Sequence, residues 1–182
     1  MNRRKALRNV ALTVGSVVSI PAWANAWTPE SLPEIKNIST ENAKLLNMLV
    51  EALIPKTDTP GAAAPGAAAP GAGEMEVDKF VMAMVNDCTP DNQRSTFTTQ
   101  LGLVDKFSME KYNESFAELS AEKKTECISM ISMNEAPSWR SFFGTLKRYT
   151  VQGYQSSEYI MYENGFQFAP GFYNGCVDLV KS

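Results

Sequence analysis

Residues 137–149 read PSWRSFFGTLKRY, and this stretch decides the fold class. Its large apolar side chains recur at the three- and four-residue spacing of one helical face; they are Trp139, Phe142, Phe143, Leu146 and Tyr149. Proline is favoured in the first turn of a helix, because its missing N–H would have no partner there. The pattern therefore predicts an amphipathic helix that begins at Pro137 and buries its aromatic face.

Similar apolar stripes occur at two earlier places in the chain. The first lies within residues 42–54, before Pro55, and consists of Leu45, Met48, Leu49, Ala52 and Leu53. The second consists of Val77, Phe80, Val81, Met84 and Val85. Both have the spacing of an amphipathic helix, so each predicts one.

Capping signals indicate the remaining helices. The Thr89-Pro90-Asp91 sequence predicts the start of a third helix, which we expect to continue to about Phe107. A fourth helix is predicted to begin at Ser120-Ala121-Glu122 and to turn Cys127, Ile128 and Ile131 inward. The helix that begins at Pro137 is the fifth, and a short sixth helix is predicted over 157–162. The fold class predicted is all-α, with five or six helices and an irregular, aromatic and Gly-rich C-terminal segment from Gly165 onward.

Residues 60–73 read PGAAAPGAAAPGAG, a low-complexity segment. Proline and glycine at this density oppose both a helix and a strand ladder, so we expect a surface loop. Two interpretations remain open for it: a tether that docks a partner, or a tolerated repeat expansion in an exposed loop. The 182-residue length fits a single domain, here residues 27–182.

Residues 1–26 have the organisation of a cleaved export signal. Basic residues are followed by a mildly apolar run from Val10 to Ile20 and by the small-residue pattern Ala24-Asn25-Ala26. The run is too short to span a membrane, so no membrane span is expected after cleavage. The pair Arg3-Arg4, with Leu7 behind it, favours the twin-arginine route over an ordinary secretory leader.

Charge and composition exclude several classes of function. Removal of the four basic residues of the leader leaves 13 basic and 20 acidic residues, and so a net charge of −7. Such a surface repels phosphate backbones, so no nucleic-acid partner is expected. The chain has no histidine, which rules out a Ser-His-Asp triad, a histidine-ligated haem and an HExxH zinc site. We predict no catalytic, metal or cofactor-binding residue.

The chain has three cysteines, Cys88, Cys127 and Cys176, whose wide spacing fits no metal or iron–sulfur motif. In an oxidising compartment, an odd number suggests one bond to another chain or a free thiol. Cys176 lies in a Gly-rich tail and is the candidate for the intersubunit disulfide, while Cys88 and Cys127 form the possible internal pair. The alternative is that all three are small buried residues.

Aromatic residues are unusually dense between Tyr149 and Tyr173. Buried interface cores are rich in such side chains, so this region is the candidate partner surface. The alternative is a loop-rich cover over the domain's own core.

The same region resembles a known family. The residues that carry the likeness are 150–154 (TVQGY), 157–159 (SEY), Pro170-Gly171 and 173–176 (YNGC), with 54–62 (IPKTDTPGA) and 86–88 (NDC) upstream. In this order they resemble the gluconate 2-dehydrogenase subunit 3 family over nearly the whole chain after the leader. The predicted interface residues are Tyr149, Gln152, Gly153, Tyr154, Glu158, Tyr159, Pro170, Gly171, Tyr173 and Asn174.

The resemblance implies a non-catalytic small subunit of a periplasmic FAD-dependent sugar or sugar-acid dehydrogenase complex. Its implied partners are a large subunit that holds FAD and a multihaem cytochrome c that carries haem and links the complex to the membrane. The small subunit would assist assembly and export of the flavoprotein, with Cys176 as a bridge to it. A stand-alone periplasmic ligand-binding protein and an independent enzyme are the alternative functions.

Overall fold

The helix predicted from residues 137–149 lies at the centre of the fold, where it contacts every other α-helix of the described chain. The structure is a computed structural model that describes residues 27–32, 38–60 and 68–163. Its α-helices are α1 (Thr40–Leu53), α2 (Val77–Cys88), α3 (Asp91–Tyr112), α4 (Ala121–Ser132), α5 (Pro137–Ser156) and α6 (Glu158–Glu163). A 3-10 turn (Pro29–Ser31) precedes α1, and the strands β1 (Thr57–Pro60) and β2 (Ala68–Ala69) lie between α1 and α2.

The all-α prediction is confirmed, and the predicted helical stripes form the core. Phe142, Leu146 and Tyr149 of α5 are buried, as are the three α4 positions predicted to turn inward. In α1 the buried face also includes Leu46 and Val50, each fully inaccessible to solvent. Burying large aromatic and aliphatic side chains is the main stabilising contribution in a domain of this kind.

The low-complexity segment is more ordered at its C-terminal end than the sequence predicted. β2 pairs antiparallel with β1, with Ala69 opposite Thr57 across an irregular ladder. Ala72 is fully buried, and the Gly73 N–H donates a 2.8 Å hydrogen bond to the Glu51 carboxylate of α1. The expectation of a surface loop without strand pairing is therefore wrong for this end. The missing side chains at its glycines leave room for Glu51 to reach the backbone.

The third helix differs from its prediction at both ends. Thr89 does not cap α3; its buried hydroxyl donates to the Met84 carbonyl at 3.2 Å. The helix also continues past Phe107 to Tyr112, where Asn113 takes a left-handed conformation (φ 58°). Asparagine tolerates this conformation better than most residues, so it ends the helix in the way glycine often does.

The predicted export signal, with Arg3, Arg4, Leu7, Ala24 and Ala26, lies outside the described residues. Within the described ranges, no helix combines the length and apolar character that crossing a bilayer requires. The described chain begins at Trp27, which follows the predicted cleavage site. Its main chain pairs in parallel with Ser157 at the junction of α5 and α6.

Candidate functional site

The solvent-facing side of α5 carries a positive charge. The exposed residues of this face recur at helical spacing; they are Arg140, Gly144, Lys147, Arg148, Val151, Gln152 and Gln155. The helix from Pro137 to Ser156 contains three basic residues and no acidic one. Because the chain after the leader is acidic as a whole, this face differs in sign from the average surface.

A groove of about 780 Å³ runs along this face and reaches α6. We call it the α5–α6 groove; its lining residues are Gly144, Lys147, Arg148, Val151, Gln152, Gln155, Ser156 and Met161. Val151 is 37% exposed there, although it is a large apolar residue. The groove thus combines an apolar surface with two cations, and it includes the predicted interface residue Gln152.

Tyr149 was predicted to contact a partner, but it belongs to the core. Its side chain is 3% exposed, and its hydroxyl lies 3.1 Å from the Thr89 hydroxyl. Since Thr89 donates its single proton to Met84, the Tyr149 hydroxyl donates to Thr89. The Arg148 guanidinium lies 4.5 Å from the centre of the Tyr149 ring and covers it from the solvent side. The interface assignment for Tyr149 is wrong, because the residue continues the inward stripe of α5.

Gly153 is also buried, four residues further along the same stripe. A Cβ at this position would lie 2.6 Å from Cδ1 of Phe80 on α2, so α2 and α5 approach each other closely here. Its carbonyl accepts a hydrogen bond from the indole nitrogen of Trp27. The glycine is therefore needed for packing within the chain rather than for contact with a partner.

Tyr154 is half-buried and fixes the end of the low-complexity segment. Its hydroxyl donates a 2.9 Å hydrogen bond to the Pro70 carbonyl. Burial raises the pKa of this phenol, and the nearby Tyr159 and Glu51 add to the rise. Tyr154 therefore has a structural role, and the protonated form that donates the bond is the favoured one.

The structure brings three predicted interface residues to the surface near the C-terminal end of α5. Gln152, Glu158 and Tyr159 are exposed, and Tyr159 is 40% accessible. The other predicted interface residues, Pro170, Gly171, Tyr173 and Asn174, lie outside the described residues, as does Cys176.

The two cysteines in the described part of the chain are both free thiols. Cys88 is exposed at the C-terminal end of α2, whereas Cys127 is buried in α4. The possible internal disulfide between them is not formed. The alternative of a small buried residue holds for Cys127 and is wrong for Cys88. Burial raises the pKa of the Cys127 thiol to about 11, with a further contribution from Glu126.

A second depression, of about 340 Å³, lies beside Trp27 and is acidic. Glu30, Glu74, Glu76 and Glu158 line it. Glu74 pairs with Lys56 at 3.3 Å and Glu76 with Lys79 at 2.9 Å, so two of these carboxylates have partners within the chain. Within the described residues, no group of three or more acidic or thiol side chains is arranged to hold a metal ion.

Sequence reasoning missed the basic residues of the groove. Lys147 and Arg148 lie within the stretch that predicts the central helix, and that prediction used only its apolar and aromatic residues. The available signal is the absence of any acid from 137 to 156, which a count of charge along the helix reveals. Met161 joins the groove only through the position of α6, which the sequence does not indicate.

A comparison with protein families gives a match over most of the chain. The family model described as gluconate 2-dehydrogenase subunit 3 matches residues 40–175. The matched region includes all of α1 to α6 and therefore the whole α5–α6 groove. No curated protein and no solved structure matches the chain significantly.

Proposed function

Because the chain belongs to the gluconate 2-dehydrogenase subunit 3 family, we propose that it is the small, non-catalytic subunit of a periplasmic FAD-dependent dehydrogenase complex. Its large partner binds FAD and oxidises a sugar or sugar acid. The small subunit assists assembly of that flavoprotein and its export. A multihaem cytochrome c is the further partner through which electrons pass to the membrane.

The observation that carries the proposal is the match over residues 40–175, which spans the helical core and both ends of the central helix. The surface supports it, because Val151 of α5 and Tyr159 of α6 expose large side chains within the region that is predicted to contact the partner. Exposed apolar and aromatic groups beside unpaired charge are typical of protein–protein interfaces. The acidic charge of the remaining surface favours a protein partner over nucleic acid.

The test is co-purification from the periplasm of cells that carry the chain with its native neighbours. We expect tagged small subunit to retain a large chain with flavin absorbance, and the pair to oxidise a sugar with an artificial electron acceptor. Neither the small subunit alone nor its mixture with free FAD should do so. A small subunit recovered alone as a stable monomer would contradict the proposal and favour the ligand-binding alternative.

The export role has a separate test. Replacement of Arg3 and Arg4 by lysine keeps the charge of the leader but removes the pair that the twin-arginine route recognises. We expect both the small subunit and the flavoprotein to remain in the cytoplasm in this variant. If only the small subunit is retained there, the flavoprotein does not depend on this leader.

The proposed bridge through Cys176 is tested on the same complex. A disulfide would hold the two chains together on a non-reducing gel and release them with reductant. In Cys176→Ser the covalent band should disappear while the complex still co-purifies. A wild-type complex without that band would disprove the bridge and leave the subunit assignment intact.

A further inference from the structure

The α5–α6 groove has a charge that no other part of the chain neutralises within the described ranges. In the described part of the chain, the ion pairs join Lys56 with Glu74, Lys79 with Glu76, Arg94 with Asp91 and Lys123 with Glu114. Neither Lys147 nor Arg148 takes part in any of them. Arg148 lies against the face of the Tyr149 ring, which supplies no counter-charge.

The groove also has an apolar surface of its own. Val151 is more than one-third exposed, and Met161 of α6 faces it across the groove. At Gly144 an added Cβ would meet no atom within 4 Å, so the helix surface is open there. An apolar side chain from another molecule could enter at this point and remove its own apolar surface and that of the groove from water.

We infer that the α5–α6 groove docks a segment of the large FAD-containing subunit that presents an apolar side chain between carboxylates. This inference rests on the proposed function and adds the place and the chemistry of the contact. The carboxylates pair with Lys147 and Arg148, and the apolar side chain packs on Val151 and Met161. An acidic segment is selected because α5, which supplies every residue that lines the groove except Met161, carries cations and no competing acid.

The charge of the neighbouring surface gives the docked segment a direction. The acidic depression beside Trp27, which includes Glu30 and Glu158, lies near the C-terminal end of α5. An acidic segment is repelled from that end and attracted toward Lys147 and Arg148. Like-charge contacts at an interface oppose wrong orientations more strongly than matched pairs add affinity.

The first experiment reverses the charge of the groove. In the double variant Lys147→Glu/Arg148→Glu, we expect the affinity for the co-purified flavoprotein to fall at least about tenfold. The matched control is Lys44→Glu/Lys106→Glu, which makes the same change in net charge at two exposed lysines that do not line the groove. The control should bind within about twofold of wild type, since remote surface charge is screened by salt.

The second experiment removes the apolar contact without changing charge. Val151→Gln introduces a residue of higher helix propensity, so α5 is retained, and the variant should weaken the complex several-fold. Met133→Gln is the control, because Met133 is 76% exposed and does not line the groove. The wild-type affinity should also fall as salt is raised, and the dependence on salt should be weaker in the charge-reversed variant. Circular dichroism on each variant checks that the helices remain.

The outcomes separate this inference from the proposed function. If wild type binds the flavoprotein and both groove variants bind equally well, the groove assignment is wrong and the subunit assignment stands. If wild type binds no flavoprotein, the proposed function fails and this inference fails with it. A small subunit that is dimeric by itself, and monomeric after charge reversal, would make a second copy the occupant. A loss of thermal stability in the isolated Lys147→Glu variant, which keeps the contact of Arg148 with Tyr149, would instead assign the groove to residues 164–182, and either result overturns the inference.

Discussion

The indole nitrogen of Trp27 donates a 2.8 Å hydrogen bond to the carbonyl of Gly153, a residue 126 positions away in the chain. Gly153 is in the last turn of α5, where helix carbonyls have no partner within the helix. The Trp27 ring also packs on the Phe80 ring, with centroids 5.2 Å apart. The main-chain carbonyl of Trp27 accepts a 3.2 Å hydrogen bond from the Glu158 N–H. The residue that follows the predicted cleavage site is therefore fixed between α2, α5 and α6.

Trp27→Phe tests the contribution of this hydrogen bond. Phenylalanine keeps an aromatic ring against Phe80 but leaves the Gly153 carbonyl without its donor. We expect the free energy of unfolding to fall by about 1 kcal/mol. The measurement is urea-induced unfolding followed by circular dichroism.

Trp139→Phe is the matched control for that change. Trp139 is also half-buried and packs on Phe107 and Phe142, with centroids 5.5 and 5.8 Å away. In the described chain its indole nitrogen makes no hydrogen bond that the substitution would remove. Equal losses in the two variants would show that ring size, and not the Trp27 hydrogen bond, determines the effect.

Gly153→Ala tests the close approach of α2 and α5. The new methyl group would lie 2.6 Å from Phe80 Cδ1 and 3.0 Å from Val77 Cγ1. Phe80 cannot easily move away, because Trp27 packs against it. We expect a loss of about 1–3 kcal/mol in the free energy of unfolding, the usual cost of overpacking.

Gly144→Ala, on the exposed face of the same helix, should have the opposite effect. An added Cβ meets no atom within 4 Å there, so only the higher helix propensity of alanine acts. The gain should be up to about 1 kcal/mol. Thermal unfolding of both variants gives the comparison, and a gain at both positions would disprove the close contact at Gly153.

The apolar stripe of α5 shows which features of the fold could be predicted from the sequence. Its spacing predicted the central helix and the burial of Phe142, Leu146 and Tyr149, because one buried face imposes a regular period on the side chains. Extended by four residues, the same period reaches Gly153 and predicts its burial. The interface assignment of Tyr149 and Gly153 relied on the density of aromatic residues and on the family resemblance, and neither distinguishes a core from a contact surface.

Other features depend on contacts between distant parts of the chain. Trp27 reaches Gly153 only after the helices have packed, and no local pattern indicates this pairing. The burial of Ala72 likewise depends on Glu51, whose carboxylate accepts from the Gly73 N–H. The composition of residues 60–73 indicates a loop, but it carries no information about a carboxylate on another helix.

The two described cysteines should differ in reactivity toward iodoacetamide. Only the thiolate reacts, and a pKa of about 11 leaves roughly 0.1% of Cys127 ionised at pH 8, in a buried site. Cys88 is exposed. In a Cys176→Ser background, mass spectrometry should find Cys88 modified first and Cys127 modified only after urea is added. Comparable native labelling at both sites, or a Cys88–Cys127 disulfide, would contradict the structure.

Asp78, in the first turn of α2, should make stability depend on pH in an unusual direction. Burial raises the pKa of its carboxyl above the ordinary 3.8, and Glu76 adds to the rise; the hydrogen bond from Asn47 opposes it, as do a backbone hydrogen bond and Lys79. The folded state therefore binds this proton more tightly than the unfolded state does. The contribution of Asp78 to stability is most favourable below pH 3.8 and decreases as pH rises through the raised pKa.

Asp78→Asn removes the ionisation but keeps an oxygen that can accept the 2.8 Å hydrogen bond from Asn47 Nδ2. At pH 7 the variant should be more stable than wild type, because it no longer buries a charge. The difference should close as pH falls below the ordinary pKa, where wild type is also neutral. Urea unfolding from pH 3 to pH 7, with the exposed Glu135→Gln as a control for surface charge, measures both parts. A wild type that is the more stable protein at pH 7 would mean that the Asn47 hydrogen bond and the α2 dipole outweigh the burial of the carboxylate.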